Sequence, residues 1–411
     1  MLARWPDPDG SGAVPGRRVA VTGIGVVAPC GIGTDAFWTG LLGAAPDGPR
    51  RVEGLDATSI YGSKELRRVD RFTQFAAVAA AEALADAGGI EAVVTDPERI
   101  GVIVGTGVGG LESLEAQERV LTEKGPNRVS PFLVPMMMGN RAGADISMRY
   151  GFTGPCETTV TACAAGTHSV GNGARLIATG RCDTVIAGSS EAALADIGIA
   201  GFTNMTALSS RGVSMPFDSR RDGFMIGEGG AILVLEEFDR AVARGAHIYA
   251  EVAGAASNAD AYHITAPSPG GVGAIVCMRT ALADAGLEPG DVTHVNAHGT
   301  STQANDSAEA AAITEVFGTP GPAVTSIKGI TGHSLGAAGS LEAVALALSM
   351  HHRAIPPTVG LTELDPAMKI DVVTGGPRDW EPGPALSNSF GFGGHNGTLV
   401  FVPAPEEATS G

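Results

Sequence analysis

The sequence is poor in lysine and has no long apolar run. Four of its 27 basic residues are lysines, 44 residues are acidic, and the formal charge is −17. Nucleic-acid binding depends on clustered basic side chains that release counterions, so this charge argues against a nucleic-acid partner. A membrane-spanning helix needs about 18 consecutive apolar residues, and the sequence has no such stretch. No membrane association is predicted.

Cysteines are few, unpaired in pattern and widely spaced. The five are Cys30, Cys156, Cys163, Cys182 and Cys277, and none forms a C-x-x-C pair. An odd number at such spacing argues against a disulfide framework, and the missing pairs argue against a structural zinc site. We expect no metal, and a reducing, cytoplasmic location.

Apolar residues make up 44% of the 411-residue chain, enough for two domains with large cores. β-rich runs at residues 18–27, 100–104, 184–187, 231–235 and 293–297 alternate with Ala-rich helical stretches at 75–87 and 274–285. This alternation is typical of an α/β protein whose sheets are covered by helices. We predict a flexible leader (1–17), one half at 18–250 and a second at 251–411, with long functional loops at 111–145 and 196–225.

The most informative segment surrounds Cys163. A β-prone run, Thr158 to Thr161, leads into Cys163, and a helical stretch follows. A thiol at such a strand-to-helix turn lies near unpaired amide N–H groups and the positive end of the helix dipole, which favour the nucleophilic thiolate. The alternative is a buried structural cysteine, because free cysteine is among the most buried residue types.

Two histidines follow predicted strands in the second half. His298 and His333 each lie in a Gly- and hydroxyl-rich loop, where catalytic groups of α/β proteins collect. Lys328 precedes His333 and would be costly to bury without a partner, so we predict a structural ion pair between Lys328 and Glu342. Near the C-terminus, the glycines of residues 388–396 allow unusual backbone angles, and their bare amides could stabilise an oxyanion.

Two other motifs suggest different chemistry. Residues 332–336 fit the G-x-S-x-G elbow of serine hydrolases and acyltransferases, with Ser334 as nucleophile, although no strand directly precedes the serine. Residues 105–110 fit the G-x-G-x-x-G fingerprint of dinucleotide sites, but no second strand ending in an acidic residue follows.

Taken together, the separated motifs resemble the elongating β-ketoacyl-[acyl-carrier-protein] synthases. The motifs that carry the resemblance are residues 161–163, 216–224, 296–300, 328–339 and the final Gly-Phe-Gly-Gly at 391–394. The resemblance extends from about Arg18 to Val402. It implies the thiolase fold, an α/β fold in which two similar halves form five layers (αβαβα). It also implies either a homodimer or a heterodimer with a chain-length factor.

The resemblance further implies a reaction. Cys163 would take an acyl chain from an acyl carrier protein, and His298 with His333 would stabilise the enolate that forms when malonyl-carrier loses CO₂. Backbone N–H groups of Cys163 and Phe392 would hold the oxyanion. Phe392 would lie in a mobile gate loop with Gly391 and Gly393. The product is a 3-oxoacyl-carrier, and no cofactor is needed because the substrates are carried on the phosphopantetheine arm.

By the same resemblance, further residues contact the substrates. Thr300 and Thr302 would bind the pantetheine arm. The acyl pocket would be lined by Val108, Leu133, Phe202 and Phe224, with Leu133 from the partner subunit. Lys64, Arg67 and Arg68 would form the docking patch for the acidic carrier protein. An ordinary solvated helix face is the alternative for that patch.

Three positions depart from the family pattern. Thr206 replaces a carrier-binding arginine, Gln303 replaces a proline or glycine, and His395 replaces a threonine. These departures bear on chain length and partner rather than on the reaction. With Val108, two of them lead us to predict the catalytic subunit of a type II polyketide system, with housekeeping fatty acid elongation as the alternative. A non-catalytic chain-length subunit is a third alternative, which the presence of Cys163 argues against.

Overall fold

The strands follow the buried apolar runs of the sequence. The computed structural model describes residues 16–46, 48–94 and 96–405, so the predicted leader lies outside the described residues apart from Gly16 and Arg17. The strands are β1 (Val19–Ala28), β2 (Gly31–Ile32), β3 (Ile100–Gly105), β4 (Cys156–Glu157), β5 (Thr184–Glu191), β6 (Gly229–Glu237), β7 (Ala250–Ala259), β8 (His294–Asn296), β9 (Ala323–Thr325), β10 (Ala354–Ile355), β11 (Asp371–Val372), β12 (Arg378–Asp379), β13 (Ala385–Gly391) and β14 (His395–Val402). β1 is buried along its whole length, as expected for a strand covered on both faces.

Ala-rich segments form the long helices. The helices are α1 (Thr34–Leu41), α2 (Ser63–Leu66), α3 (Arg71–Asp86), α4 (Ile90–Val93), α5 (Leu111–Lys124), α6 (Leu133–Met137), α7 (Arg141–Tyr150), α8 (Ala165–Ala178), α9 (Asp196–Asn204), α10 (Phe238–Ala243), α11 (Val272–Ala285), α12 (Gln303–Phe317), α13 (Lys328–Thr331) and α14 (Ala338–His352). Among the described helices, none is long and apolar enough to cross a membrane.

The segments predicted as long loops, 111–145 and 196–225, are partly helical. They contain α5, α6, α9 and the first half of α7. In α5, Ser113 alone is classed as buried. The apolar residues Leu114 and Leu121 of α5 are 44% and 47% exposed, so α5 does not cover a core, unlike the amphipathic helices that a sequence pattern identifies most readily.

The two halves of the chain repeat one strand order. In the described part of the chain, a 12-stranded sheet runs in the order β11-β9-β8-β13-β14-β7-β1-β6-β5-β3-β4, with β2 paired to β1. The two halves have the same strand order when the strands of each half are numbered separately: β4-β3-β5-β6-β1 in the first half and β9-β8-β13-β14-β7 in the second. In both halves the first two pairs are parallel and the last two are antiparallel. The halves join through a short antiparallel pairing of β1 with β7.

Helices cover both faces of each half. One core contains residues of α8 and α14 together with inward-facing residues of β1, β5, β6 and β7. A second core lies between α3, α7 and the first half of the sheet, and a third lies between α11, α12 and the second half. α8 and α14 therefore form a middle layer between two sheet layers, which makes five layers in all.

The middle layer is closely packed at two glycines. A Cβ on Gly166 of α8 would lie 2.5 Å from the backbone nitrogen of Ser340, and one on Gly339 of α14 would lie 2.5 Å from the nitrogen of Thr167. Any side chain at these positions would push the two helices apart. Cys163 and His333, two of the residues predicted to be functional, lie in the segments that lead into these two helices.

Candidate active site

Cys163 lies at the entrance to α8. It occupies a single 3-10 turn, Ala162–Ala164, that leads directly into the helix. Ala162 has φ of 49°, a left-handed conformation that costs roughly 1–2 kcal/mol for a residue with a Cβ. The prediction of a strand at Thr158–Thr161 is wrong, because β4 ends at Glu157. β4 is the last strand in the sheet order, and the chain leaves it at once to reach the helix.

The thiol of Cys163 faces two histidines. Sγ lies 3.1 Å from Nε2 of His333, and the ring of His298 lies 5.3 Å from that of His333 in an edge-on arrangement. Cys163, His298 and His333 are 6%, 1% and 2% exposed. Three predicted residues that are 135 and 35 positions apart along the chain therefore form one buried cluster.

Lys328 fixes the protonation pattern of His298. Its Nζ lies 3.2 Å from Nδ1 of His298 and 2.5 Å from the His298 carbonyl oxygen. An ammonium group can only donate, so Nδ1 must accept and the proton of the neutral ring lies on Nε2. Burial and the positive charge of Lys328 hold the pKa of both catalytic-site histidines well below the ordinary value. His298 thus presents an N–H donor rather than a positive charge.

The predicted ion pair between Lys328 and Glu342 is present and fully buried. Glu342 also accepts a hydrogen bond from Ser389 Oγ at 3.4 Å. Burial raises the pKa of Glu342 to about 7, and the ammonium of Lys328 opposes this rise. The pair neutralises a charge that would be costly to bury alone.

Glu309, which the sequence analysis missed, anchors the His298 loop. Its carboxylate accepts the backbone N–H groups of His298 and Gly299 at 2.8 and 2.7 Å, and burial raises its pKa to about 7. Glu309 lies on α12, eleven positions after His298. The sequence signal for Glu309 is an acidic residue on the buried side of the helix that follows the His298 loop.

The electrostatics of Cys163 differ from the prediction. Burial raises the pKa of the thiol to about 11, and the N–H of Phe392, the charge of Lys328 and the N–H of Cys163 itself lower it by less. The expectation that the turn and helix dipole favour the thiolate is therefore wrong for the free enzyme, because removal from water outweighs them. The resting pair is a neutral thiol beside a neutral imidazole.

This charge state predicts how alkylation depends on pH. Because the thiolate is the reactive form, the rate of Cys163 alkylation by iodoacetamide should rise about tenfold per pH unit from pH 7 towards pH 10. Peptide mass spectrometry would follow the modification of Cys163, with exposed Cys156 as the internal reference. A rate that levels off below pH 9 would mean that the N–H donors and Lys328 outweigh burial.

The cluster opens into a cavity of about 290 Å³. Residues predicted for catalysis, pantetheine binding, acyl binding and gating share its lining, and they are Cys163, His298, His333, Thr300, Thr302, Phe202, Phe224, Gly391 and Phe392. Thr300 and Thr302 hydroxyls lie 3.0 Å apart. Val108 and Leu133 are not among the lining residues of the single chain; Val108 is 49% exposed.

The glycine-rich hairpin between β13 and β14 approaches the nucleophile closely. A Cβ on Gly391 would lie 3.1 Å from the backbone nitrogen of Cys163, and the N–H of Phe392 lies close enough to the thiol to lower its pKa. Gly393 has φ of 83°, which glycine adopts without strain, and its N–H donates to the Ile264 carbonyl at 2.7 Å. Two backbone donors therefore converge beside Sγ.

The predicted docking residues are all exposed. Lys64 lies in α2, Arg67 is the C-cap residue of that helix, and Arg68 follows it. The Arg68 guanidinium lies 4.2 Å from the centre of the Phe132 ring. In the single chain, this patch is accessible to a partner protein.

The geometry argues against the two alternative motifs. Ser334 is 1% exposed, lies outside the lining of the cavity, and follows α13 rather than a strand. In the 105–110 motif, the backbone N–H groups of Gly107 and Val108 donate to the buried carboxylate of Glu191, so they are not available to bind the pyrophosphate of a dinucleotide.

Cys163, His298 and His333 also form a set of metal-ligand types. Their donor atoms lie within 4.8 Å of one another. A ligating histidine must offer a lone pair, whereas the contact of Lys328 with Nδ1 puts a proton on Nε2 of His298. The cluster is therefore better arranged to donate hydrogen bonds to a substrate oxygen than to hold a cation.

The fold and this site define a thiolase-fold condensing enzyme with a cysteine nucleophile and two histidines. Residues 50–241 match the N-terminal domain of β-ketoacyl synthases, and residues 249–362 match the C-terminal domain. The chain belongs to the β-ketoacyl synthase family and is an acyltransferase of the condensing type. The fold class predicted from the sequence is confirmed.

Curated relatives and solved structures agree with this assignment. The chain is 44% identical to the 3-oxoacyl-[acyl-carrier-protein] synthase 2 of Synechocystis sp. over 94% of its length and 98% of the relative. It is 42% identical, with the same coverage, to the enzyme of that name from Staphylococcus aureus.

Two structures extend the comparison to polyketide systems. The ishigamide ketosynthase/chain length factor matches with a TM-score of 0.90 and 33% identity, covering 95% of this chain and 100% of that chain. A type II polyketide synthase acyl-carrier protein in complex with its ketosynthase matches with a TM-score of 0.86 and 32% identity at the same coverage.

Proposed function

We propose that this enzyme catalyses the decarboxylative condensation of a Cys163-bound acyl chain with malonyl-acyl carrier protein, giving a 3-oxoacyl-carrier and CO₂. The observation that carries the proposal is the 3.1 Å contact of Cys163 Sγ with His333 Nε2 beside His298, at the base of the cavity. A nucleophile, a base within hydrogen-bond reach and converging N–H donors are the parts that acyl transfer requires.

The first step is acyl loading. His333 Nε2 accepts the thiol proton as Sγ attacks the thioester carbonyl of acyl-carrier. The oxyanion lies between the N–H groups of Cys163 and Phe392, which are already in place and need no reorganisation. The tetrahedral intermediate collapses to the Cys163 thioester. The pantetheine sulfur takes the proton from His333 and leaves as a thiol.

The second step is decarboxylation of malonyl-carrier. The bond to the carboxylate breaks, CO₂ leaves, and the electron pair forms an enolate whose oxygen accepts hydrogen bonds from His298 and His333. In the described part of the chain, Nδ1 of His333 has no hydrogen-bond partner, so no contact locks its tautomer. The ring can accept from the free thiol and donate from Nε2 once Cys163 is acylated.

The third step forms the new carbon–carbon bond. The enolate carbon attacks the Cys163 thioester, and the same two backbone N–H groups stabilise the second oxyanion. Collapse expels the cysteine thiolate, which takes up one proton from water, the proton that the overall reaction consumes, and returns the enzyme to its starting state. Lys328 supports this step through His298, whose Nε2–H it maintains.

Delivery of both substrates by a carrier fits the charge distribution. Lys64, Arg67 and Arg68 form an exposed basic cluster on a chain with a net charge of −17, and an acidic carrier would be steered towards it. The two similar polyketide structures contain a ketosynthase with a chain length factor and a ketosynthase in complex with an acyl-carrier protein. By analogy we assign this chain a second subunit, either a copy of itself or a chain-length factor, with Val108 and Leu133 completing the acyl pocket.

For the pathway, we propose the catalytic subunit of a type II polyketide system in the cytoplasm. The departures from the fatty-acid pattern at Val108, Thr206 and Gln303 support it. Thr206 lines the cavity, and Gln303 Nε2 donates to the Arg221 carbonyl at 2.6 Å. Housekeeping fatty acid elongation is the second candidate, favoured by the 44% identity to a 3-oxoacyl-carrier synthase 2.

Intact-protein and peptide mass spectrometry test this proposal. With hexanoyl-carrier the wild-type protein and Ser334→Ala should both gain one acyl group, located on Cys163, and both should release CO₂ after malonyl-carrier is added. Loading that disappears in Ser334→Ala would favour the hydrolase alternative. Repeated elongation of saturated chains by this polypeptide alone would favour the fatty acid pathway over the polyketide one.

A further inference from the structure

His168 is a buried histidine that the proposed mechanism does not use. It lies on α8, five positions after Cys163, and is 9% exposed. Nδ1 lies 2.8 Å from Thr161 Oγ1, and Nε2 lies 2.9 Å from the backbone oxygen of Asn396. The carbonyl can only accept, so Nε2 carries the proton, and Nδ1 accepts from the threonine hydroxyl. Both nitrogens of a neutral ring are thereby satisfied.

The two partners of His168 belong to the two segments that supply the oxyanion donors. Thr161 is two residues before Cys163, in the strained turn that presents the Cys163 N–H. Asn396 is four residues after Phe392, on β14, where it pairs with Phe390 across the hairpin. One imidazole therefore joins the nucleophile turn to the hairpin that carries Phe392.

The ring has no room to shift. A Cβ on Gly397 would lie 2.9 Å from Cδ2 of His168 and 2.9 Å from Cγ2 of Thr167, so strand β14 passes directly over the imidazole. Burial also lowers the pKa of His168, which keeps the ring in the neutral form that makes both hydrogen bonds. The link is short, enclosed and made of groups with fixed donor and acceptor roles.

We propose that His168 is a positioning residue that sets the spacing between the Cys163 and Phe392 N–H groups. This inference rests on the proposed function, in which those groups stabilise an oxyanion. Donors act on an oxyanion only when they lie within a few tenths of an ångström of the required position. Loss of the link should therefore slow acyl transfer, which passes through an oxyanion, but not alkylation of the same sulfur, which does not.

The experiment compares these two reactions in Thr161→Val, His168→Asn and the double variant. Acyl transfer is measured with hexanoyl-pantetheine, and alkylation with iodoacetamide over a pH range that gives the thiol pKa of each variant. We expect acyl transfer to fall roughly 10- to 100-fold, with the thiolate alkylation constant unchanged within about twofold. The double variant should be little worse than the worse single variant, because both changes break one link.

Three results would overturn the proposal. An equal fall in both reactions would show a general distortion of the turn, and unchanged acyl transfer would show that the link has no role. Failure of the wild-type enzyme to accept an acyl group, with normal alkylation, would overturn the proposed function and this inference with it.

Two controls guard against misinterpretation. Thr161→Val retains the ring and nearly the shape of the threonine, so it remains informative if His168→Asn does not fold. His294→Asn removes another buried histidine, whose Nδ1 lies 2.9 Å from the Ala323 carbonyl oxygen, and should lower Tm without changing the ratio of acyl transfer to alkylation.

Discussion

Replacing Cys163 with alanine should abolish acyl loading while CO₂ release from malonyl-carrier remains measurable. Loading requires the sulfur, and removal of a catalytic nucleophile lowers such a rate by roughly 10⁴-fold or more. Decarboxylation requires donors at the enolate oxygen. His298 is held by Lys328 and Glu309, and His333 is held by its backbone N–H on the Met225 carbonyl and by packing of its ring against Phe224, so both histidines should stay in place without the thiol. The methyl group also removes the S–H donor at His333 Nε2, which frees that nitrogen for the enolate.

Headspace or coupled measurement of CO₂, alongside mass spectrometry of the protein, would separate the two activities. Cys277→Ala is a matched control, because Cys277 is a buried cysteine on α11 outside the cavity lining, and both activities should survive there. Loss of both activities in Cys163→Ala, with an unchanged Tm, would mean that the histidines cannot act without the sulfur.

Replacing Lys328 with methionine should impair both stability and condensation. Glu342 would be left buried without its counter-ion, and such removal typically costs about 3–5 kcal/mol. His298 would also lose the contact that keeps its proton on Nε2, and loss of one aligned donor lowers a rate roughly 10²–10³-fold. Stability and activity therefore fall for different reasons.

The double variant Lys328→Met/Glu342→Gln separates these reasons. It should recover most of the unfolding free energy, because the buried charge is gone, while condensation stays low. The single variant should also lose more stability at pH 8 than at pH 5. Burial holds the folded pKa of Glu342 above its unfolded value, so the unfolded state releases the proton first and stability declines as pH rises between the two values.

Denaturant unfolding at several pH values would measure the stability effect. Recovery of condensation in the double variant would show that Lys328 acts on Glu342 rather than on His298. A loss of stability that is independent of pH would show that Glu342 stays ionised without its partner.

The alternating strands could be predicted from the sequence because buried strands consist mainly of apolar residues. β1, β3, β5, β6 and β8 lie where unbroken apolar runs predict them. Sequence reasoning missed the helical content of 111–145 because α5 has almost no buried face. The register that gives both halves one strand order depends on pairing between distant segments, which no local pattern records.

For the site, residue type and loop position were sufficient to select Cys163, His298 and His333, and the need for a counter-ion was sufficient to pair Lys328 with Glu342. The pKa of the thiol could not be judged in the same way. It depends on how completely the folded chain removes Cys163 from water, and the local turn contributes less. The roles of Glu309 and His168 depend on contacts across 11 and 228 positions of the chain.

The repeated strand order has a consequence for how the chemistry is arranged. Ala162 and Leu335 have nearly the same left-handed φ, 49° and 48°. Each is the first residue of a 3-10 turn, and these turns lead into α8 and α14 respectively. One structural unit, used twice, therefore presents the nucleophile from its first copy and a histidine from its second. The scaffold is nearly symmetric and the chemistry is not. The distance between the Cys163 sulfur and the His333 imidazole depends on how closely the two copies pack. Gly166 and Gly339 allow this close packing because they have no side chains.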